Sequence, residues 1–264
     1  MELHGKHLFC FEDGGYCNVY DFETLDSIPV GRFTLESSEK DNHSNQANFG
    51  LETADGGSFP VVYITIGKPG SPIDWQCKVE SITHDEKGWS SRLVQTLELD
   101  TAGFTNAGYV RMFGAPSWLI DRERGELWAF SAIKRTIPRI TGAFHTNKYI
   151  ATKFRIPRLD EGAYVRLSAD DVLDQKQFEF DVYATQSGCI RDGKLYYSYG
   201  FGKIRPETPS KIRVYDLDKG TIAYRYDLND AVPEECESLV VRDGYIYLNT
   251  NSPIIYRIPA PSFR

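Results

Sequence analysis

Apolar and polar positions alternate along this chain in short runs, and the runs recur. Cys17-Asn-Val-Tyr-Asp, Lys211-Ile-Arg-Val-Tyr-Asp and Ile254-Ile-Tyr-Arg-Ile have the period of two that sends successive side chains to opposite faces of a strand. Cys77-Lys-Val-Glu-Ser-Ile and Ala151-Thr-Lys-Phe-Arg-Ile repeat it. No segment competes with a helical period. Ser168-Ala-Asp-Asp-Val-Leu reads as at most one helical turn inside a long connection.

The strands follow a fixed order. Ahead of each period-two strand stands a glycine and then an aromatic strand. The copies are Gly5-Lys-His-Leu-Phe-Cys-Phe, Gly57-Ser-Phe-Pro-Val-Val-Tyr-Ile, Gly125-Glu-Leu-Trp-Ala-Phe, Gly193-Lys-Leu-Tyr-Tyr-Ser-Tyr and Gly244-Tyr-Ile-Tyr-Leu-Asn. The glycines are 52, 68, 68 and 51 residues apart, and each permits the positive φ of a tight hairpin. A small or apolar strand precedes the glycine, at 46–52, 116–121, 186–191 and 237–242. A fourth strand follows, at 28–35, 92–99, 176–183 and 221–228.

The repeating unit is therefore four antiparallel strands, a to d. A sandwich would space its strands by roughly 8–12 residues without this longer period. Long-period repetition predicts a β-propeller, in which each blade covers its faces with its neighbours. The expected fold is all-β: one propeller domain over residues 1–264 with five four-stranded blades, a six-bladed ring being the alternative. The first blade reads b-c-d and the last a-b-c. The two strands left over, d of blade five and a of blade one, are expected upstream of Met1, in a stretch of roughly 15–25 residues that would also hold any export signal. The alternative is a ring closed by two three-stranded blades.

Composition agrees with this picture. The 264 residues include 16 Tyr, 15 Phe, 22 Gly and 13 Pro, the strand and turn formers that such a repeat consumes. No run of apolar residues is long enough for a membrane-spanning helix. The net charge of −7 and the lack of a basic stripe argue against nucleic acid as a partner. The basic stretch from Lys148 to Arg158 reads as a solvated strand face. Cys10, Cys17, Cys77, Cys189 and Cys236 have no zinc spacing and mostly sit in apolar strand patterns, as small core residues. A Cys10–Cys17 bridge across a hairpin is open to the chain, but no feature of the sequence supports it.

Candidate chemistry gathers in the lead-ins to the a strands, which form one rim of a propeller together with the b–c loops. These lead-ins are polar: Asp41-Asn-His43-Ser-Asn45-Gln46, Thr185-Gln186-Ser187 and Glu234-Glu235-Cys236-Glu237-Ser238. Aligned on their hairpins, Gln186 matches Glu237 and Ser187 matches Ser238. His43, Asn45, Gln46, Gln186 and Glu237 are expected to converge as ligand-binding residues, with Trp118 as an apolar platform. The bland alternative is that polar a-strand residues only tie neighbouring blades together. A metal at His43 with Asp41, Glu235 or Glu237 has no supporting spacing, so neither metal nor cofactor is expected. His4, His7, His84 and His145 have no assignable partners. Asn42-His-Ser is a formal glycosylation sequon of low specificity. The stretch from Lys134 to Lys148 lengthens a b–c connection into a candidate binding loop, and the Tyr199–Ser210 connection with Lys203 and Arg205 lies at the equivalent place. No nucleophile elbow, Walker loop or HExxH is present.

The phrases Val19-Tyr-Asp, Val214-Tyr-Asp-Leu-Asp and Arg242-Asp-Gly-Tyr-Ile-Tyr resemble repeats of the broad YVTN/TolB-like propeller superfamily. His43-Ser-Asn-Gln-Ala-Asn-Phe-Gly, Pro60-Val-Val-Tyr-Ile and Cys77-Lys-Val-Glu-Ser-Ile-Thr are similar to uncharacterised propellers of Bacteroides-type bacteria. The resemblance spans most of the chain at the level of the repeat and says little about activity. It implies a periplasmic or cell-surface location; a true start at Met1 would imply the cytoplasm. The expected function is a non-enzymatic binding or interaction propeller that takes a glycan, peptide or protein ligand at its rim. The alternative is a glycan-active hydrolase or lyase with Glu237 as general acid and Asp41 or Asp121 as partner.

Overall fold

The computed structural model describes residues 1–134, 147–180 and 185–263. The fold is all-β, a five-bladed β-propeller built from five small sheets. The first sheet holds β1 (Glu2–His4), β2 (His7–Glu12), β3 (Tyr16–Asp21) and β4 (Gly31–Thr34) in that order. The second is built on β5 (Gln46–Phe49), β6 (Val62–Thr65), β7 (Gln76–Asp85) and β8 (Gly88–Leu99). Next come β9 (Phe113–Asp121), β10 (Glu126–Lys134), β11 (Asn147–Arg155), β12 (Tyr164–Leu167) and β13 (Asp174–Phe180), of which β9, β10, β11 and β13 form the third sheet. The fourth sheet is β14 (Thr185–Arg191), β15 (Lys194–Tyr199), β16 (Lys211–Asp216) and β17 (Thr221–Asp227). The fifth is β18 (Cys236–Arg242), β19 (Tyr245–Thr250) and β20 (Ile255–Pro259). The chain divides into two compact units, Met1–Ser131 with Thr152–Gln175, and Ala132–Ala151 with Lys176–Arg264.

The repeat places these strands because its signals are local. Asp192-Gly193 and Asp243-Gly244 each take two successive positive φ values (51° and 64°, 50° and 77°), the conformation of a type I′ hairpin turn. The second copy departs from the expectation: its positive φ falls on Gly56, not on Gly57. A second recurring device is an aspartate that closes a turn. The Oδ1 atoms of Asp21, Asp121 and Asp216 each accept backbone N–H groups two or three residues on.

Two strand assignments depart from the expectation. The first blade has its a strand, because Glu2–His4 pairs antiparallel with β2; it is not upstream of Met1. The fifth sheet does have three strands among the described residues. The second sheet gains a fifth strand, since β12 pairs parallel with β8, in register Tyr164 with Thr96 through Leu167 with Leu99. That strand covers the edge of β8, and Gln95 Nε2 clamps the approach by donating to the carbonyls of Arg158 and Gly162, both at 2.9 Å. The single helical turn expected near Ser168 is a 3-10 turn at Ala169–Asp171, capped by the Ser168 hydroxyl.

Each unit has its own apolar interior. In the first unit Phe9, Val19, Phe33, Phe49, Phe59, Val62 and Ile82 pack between the first two sheets. The long hairpin β7–β8 folds its tip back onto this cluster, stacking Trp89 on Phe59 with ring centroids 5.7 Å apart. In the second unit Tyr196, Ile212, Val214, Leu239, Ile246 and Leu248 pack between the fourth and fifth sheets. Burying one such side chain contributes roughly 1.5–3 kcal/mol, so these interfaces hold the blades together. All five cysteines are free thiols, so the Cys10–Cys17 bridge is not formed. Among the described residues no helix is long and apolar enough to cross a membrane.

Candidate functional site

The polar residues singled out on the a strands divide between the two units. In the first unit Gln46 opens β5 and is fully buried. Its Nε2 donates to Asn48 Oδ1 (3.2 Å) and to the carbonyl of Trp118 (3.0 Å). The Trp118 N–H donates in turn to Thr65 Oγ1 at 2.9 Å. Asn48 Nδ2 donates to the Glu2 carboxylate (3.1 Å), which also accepts the N–H of Phe49 (3.3 Å). The first strands of three blades are therefore laced by side chains. Burial pushes the Glu2 carboxyl up, and these hydrogen bonds pull against that rise.

This geometry corrects the role expected of Trp118. Its side chain is 0% exposed, so it is a core residue and offers no face to a ligand. Its indole N–H has no hydrogen-bond partner among the described residues, so packing and not polarity places it. Gln46 is likewise a brace between blades. Asn45 is half-buried and lies against Gly67, where a Cβ would come within 2.3 Å of it. His43 is exposed, and its backbone N–H donates to the Ile66 carbonyl at 3.0 Å. Asp41 pairs with Lys68 at 3.1 Å, and Asp121 closes its turn. The formal sequon residue Asn42 is fully buried, its amide donating to the Ser37 carbonyl and its Oδ1 accepting from Ser44, which leaves no access for a glycan.

The second unit holds Gln186, Glu235 and Glu237. Gln186 lies on β14, mostly buried, and its Nε2 donates to Glu235 Oε1 at 2.8 Å. Glu237 lies on β18, half-buried, with its carboxyl pushed up to about 7. Loss of hydration is the main cause, and the negative charge of Glu235 adds to it. The predicted equivalence of the two lead-ins holds for the serines. Ser198 Oγ donates to the Ser187 carbonyl, and Ser238 donates from both backbone and hydroxyl to Asn249 Oδ1, each partner standing 11 residues on at a local bulge.

The Tyr199–Ser210 connection supports this lead-in from below. Lys203 N–H donates to the Pro233 carbonyl (2.7 Å) and Ser210 Oγ to the Glu234 carbonyl (2.8 Å). Gly202 makes the approach possible: its φ is +61°, and a Cβ there would stand 2.2 Å from the Pro233 oxygen. The Tyr256 hydroxyl holds the Glu234 carboxylate at 2.8 Å. Arg205 lies over the Phe201 ring at 4.3 Å, so of the two cations expected there it is the one held by a neighbour, and Lys203 is exposed. The candidate loop between Lys134 and Lys148, with His145, falls mainly on residues outside the described ones.

What the second-unit cluster can do follows from its protonation. A carboxyl titrating near 7 is both donor and acceptor at neutral pH, and it stands beside a carboxylate already oriented by an amide. Among the described residues, no group of three or more His, Cys, Asp and Glu side chains is arranged to hold a metal ion. The basic stretch from Lys148 to Arg158 is neutralised locally: Lys148 pairs with Glu179, Lys153 with Glu126, Arg155 with Glu161 and Arg158 with Asp160. Glu235 and Glu2 are the residues whose parts were missed. Glu235 was visible as one of a carboxylate cluster, but Glu2 precedes the first recognisable strand.

No family model matches the chain, and no curated protein matches it. Among solved structures, the computationally designed Ika4 protein is similar at 9% identity and a TM-score of 0.40, covering 87% of this chain and 97% of that one. Hydrazine synthase from Kuenenia stuttgartiensis is similar at 12% identity and a TM-score of 0.38. The match takes in 92% of this chain but only 52% of that longer one. Likeness at this level is too distant to bear on function, and the blade assignment rests on the sheets themselves.

Proposed function

We propose that this protein is a non-enzymatic binding propeller that presents the lead-ins to β14 and β18 to a glycan, peptide or protein ligand. The observation that carries the reading is the pairing of a Glu237 carboxyl poised near 7 with Glu235, which Gln186 orients. Such a pair donates one hydrogen bond and accepts another, the complement of adjacent sugar hydroxyls or of a peptide unit. Glu235 and Glu237 belong to one lead-in, whereas glycoside hydrolysis wants two carboxyls flanking the scissile bond. Kinship with the YVTN/TolB-like propellers and a periplasmic or surface location belong to the same proposal, on the repeat phrases alone. Cell fractionation tests the location.

The test is a calorimetric and glycan-array screen of neutral oligosaccharides and short peptides against the intact chain and Glu237→Gln. Binding that weakens with the variant supports the reading. Binding that ignores the variant overturns the assignment of the site. A second reading, a hydrolase or lyase with Glu237 as acid, is favoured by its raised pKa. New reducing ends or unsaturated products released by the wild type and not by Glu237→Gln would establish it instead.

A further inference from the structure

The first unit contains an open cleft of about 290 Å³. It forms where β12 joins the second sheet. Its walls include Trp75, Gln76, Glu98, Asp100, Arg111 and Arg166. Gln76, Glu98 and Arg166 are register partners on β7, β8 and β12, so three adjacent strands present one row of polar side chains.

The charges in this row are unequally satisfied. Arg166 is held by Asp100 at 2.9 Å. Glu98 accepts from Gln76 Nε2 (3.2 Å) and from the Tyr164 hydroxyl. Arg111 is exposed, and no carboxylate among the described residues lies within ion-pair distance of it. Its position is nevertheless built. The preceding residue, Val110, is clamped at both its N–H (2.9 Å) and its carbonyl (3.1 Å) by the Gln175 side-chain amide. The cleft therefore has one guanidinium with no carboxylate partner among the described residues, carried on a clamped stretch of backbone beside Trp75 and a row of polar groups.

We propose that this cleft binds a single carboxylate-bearing sugar ring, a uronate. A guanidinium fork matches a carboxylate through two parallel hydrogen bonds. The half-buried Trp75 lines the cleft with an apolar surface for a sugar ring, and the Glu98 carboxylate, which already accepts from Gln76 and Tyr164, keeps lone pairs for a sugar hydroxyl. A volume of about 290 Å³ suits one ring and not an extended chain. The site is independent of the Glu235–Glu237 cluster, and neither proposal requires the other.

The test is titration of the intact chain with galacturonate, its methyl ester, galactose 6-sulfate and acetate, followed by amide NMR or calorimetry. Galacturonate is expected to bind in roughly the millimolar range, as a single-ring ligand does. The ester and acetate are expected to bind about tenfold more weakly or not at all. Arg111→Gln should remove the preference for acid over ester, and Trp75→Ala should weaken galacturonate while leaving the Arg111-dependent preference. Circular dichroism reports that both variants are folded; the exposure of Arg111 makes its variant the safer one. No binding of galacturonate, equal binding of acid and ester, or an unchanged Arg111→Gln variant would overturn the proposal. Equal binding of acetate would remove the sugar, and tighter binding of the sulfate would remove the carboxylate.

Discussion

The side-chain amide of Gln186 on β14 donates to the carboxylate of Glu235 in the lead-in to β18, at 2.8 Å. This bond joins the first strands of the fourth and fifth sheets, and its acceptor is also the charge that lifts Glu237. A contact that reads as a structural tie between blades thereby holds in place the charge that adds to the rise of the neighbouring carboxyl.

Glu235→Gln should lower the pKa of Glu237 from about 7, because it removes the second cause of the rise. The value should stay above the ordinary carboxyl range, because loss of hydration is the larger cause and remains. Carbon-detected NMR titration of the Glu237 carboxyl measures this. A return to the free-peptide value would show that charge and not burial dominates.

Stability should depend on pH through Glu237 with a definite sign. Its folded pKa lies above its unfolded one, so the folded state holds the proton more tightly. The contribution is complete below about 4.3, the unfolded value, and is lost as pH rises through about 7. Partial exposure limits it to roughly 2 kcal/mol. Denaturant melts from pH 4 to 8 should show the decline, and Glu237→Gln should flatten it.

The histidines of the first unit act in the opposite direction. His7 packs edge-on against Trp89 (5.4 Å) and Phe59 (5.8 Å), and His4 against Phe49 and Phe59. Loss of hydration lowers both, helped by Arg122 and His7 near His4 and by Lys6 and His84 near His7, with Asp21 opposing at His7. Their stabilisation is present above about 6.5 and lost as pH falls below it through their depressed folded values. His7→Phe should make the melting temperature less sensitive to acid between pH 6.5 and 5 than the parent.

Trp118 separates packing from polarity. Its indole N–H has no partner among the described residues, so Trp118→Phe forfeits no hydrogen bond there and should cost about 1–2 kcal/mol. Trp118→Ala opens a cavity in the core and should cost about 3–5 kcal/mol. Urea denaturation checks both. Equal losses would mean that the indole N–H is satisfied after all.

Trp89 makes a steric prediction. Its indole lies over Gly31, where a Cβ would come within 2.2 Å of the ring nitrogen. Gly31→Val should displace the β7–β8 tip from the aromatic cluster and cost about 1–3 kcal/mol by overpacking. Tryptophan fluorescence should shift to the red as Trp89 gains solvent.

Blade order, strand positions and hairpin turns were legible in the chain because they are set locally. An Asp-Gly pair such as Asp243-Gly244 needs only its own backbone preference to make the turn, and Tyr245-Ile-Tyr-Leu alternates whatever it later packs on. The lead-in equivalence of Ser187 and Ser238 was readable for the same reason. The three-residue strand Glu2–His4 was not, being too short to show a period.

The remaining features depend on partners distant in sequence. Tyr164-Val-Arg-Leu becomes a strand because β8, whose paired residues stand 68 positions earlier, offers an open edge. Trp118 looks like a ligand platform until three blades bury it, and Asn42 looks like a glycan acceptor until Ser37 and Ser44 enclose it. The titration of Glu237 is likewise a result of enclosure, and the cleft beside Arg111 exists only where β12 meets β8: burial, charge proximity and cavity shape are properties of assembled surfaces, and no stretch of sequence holds them alone.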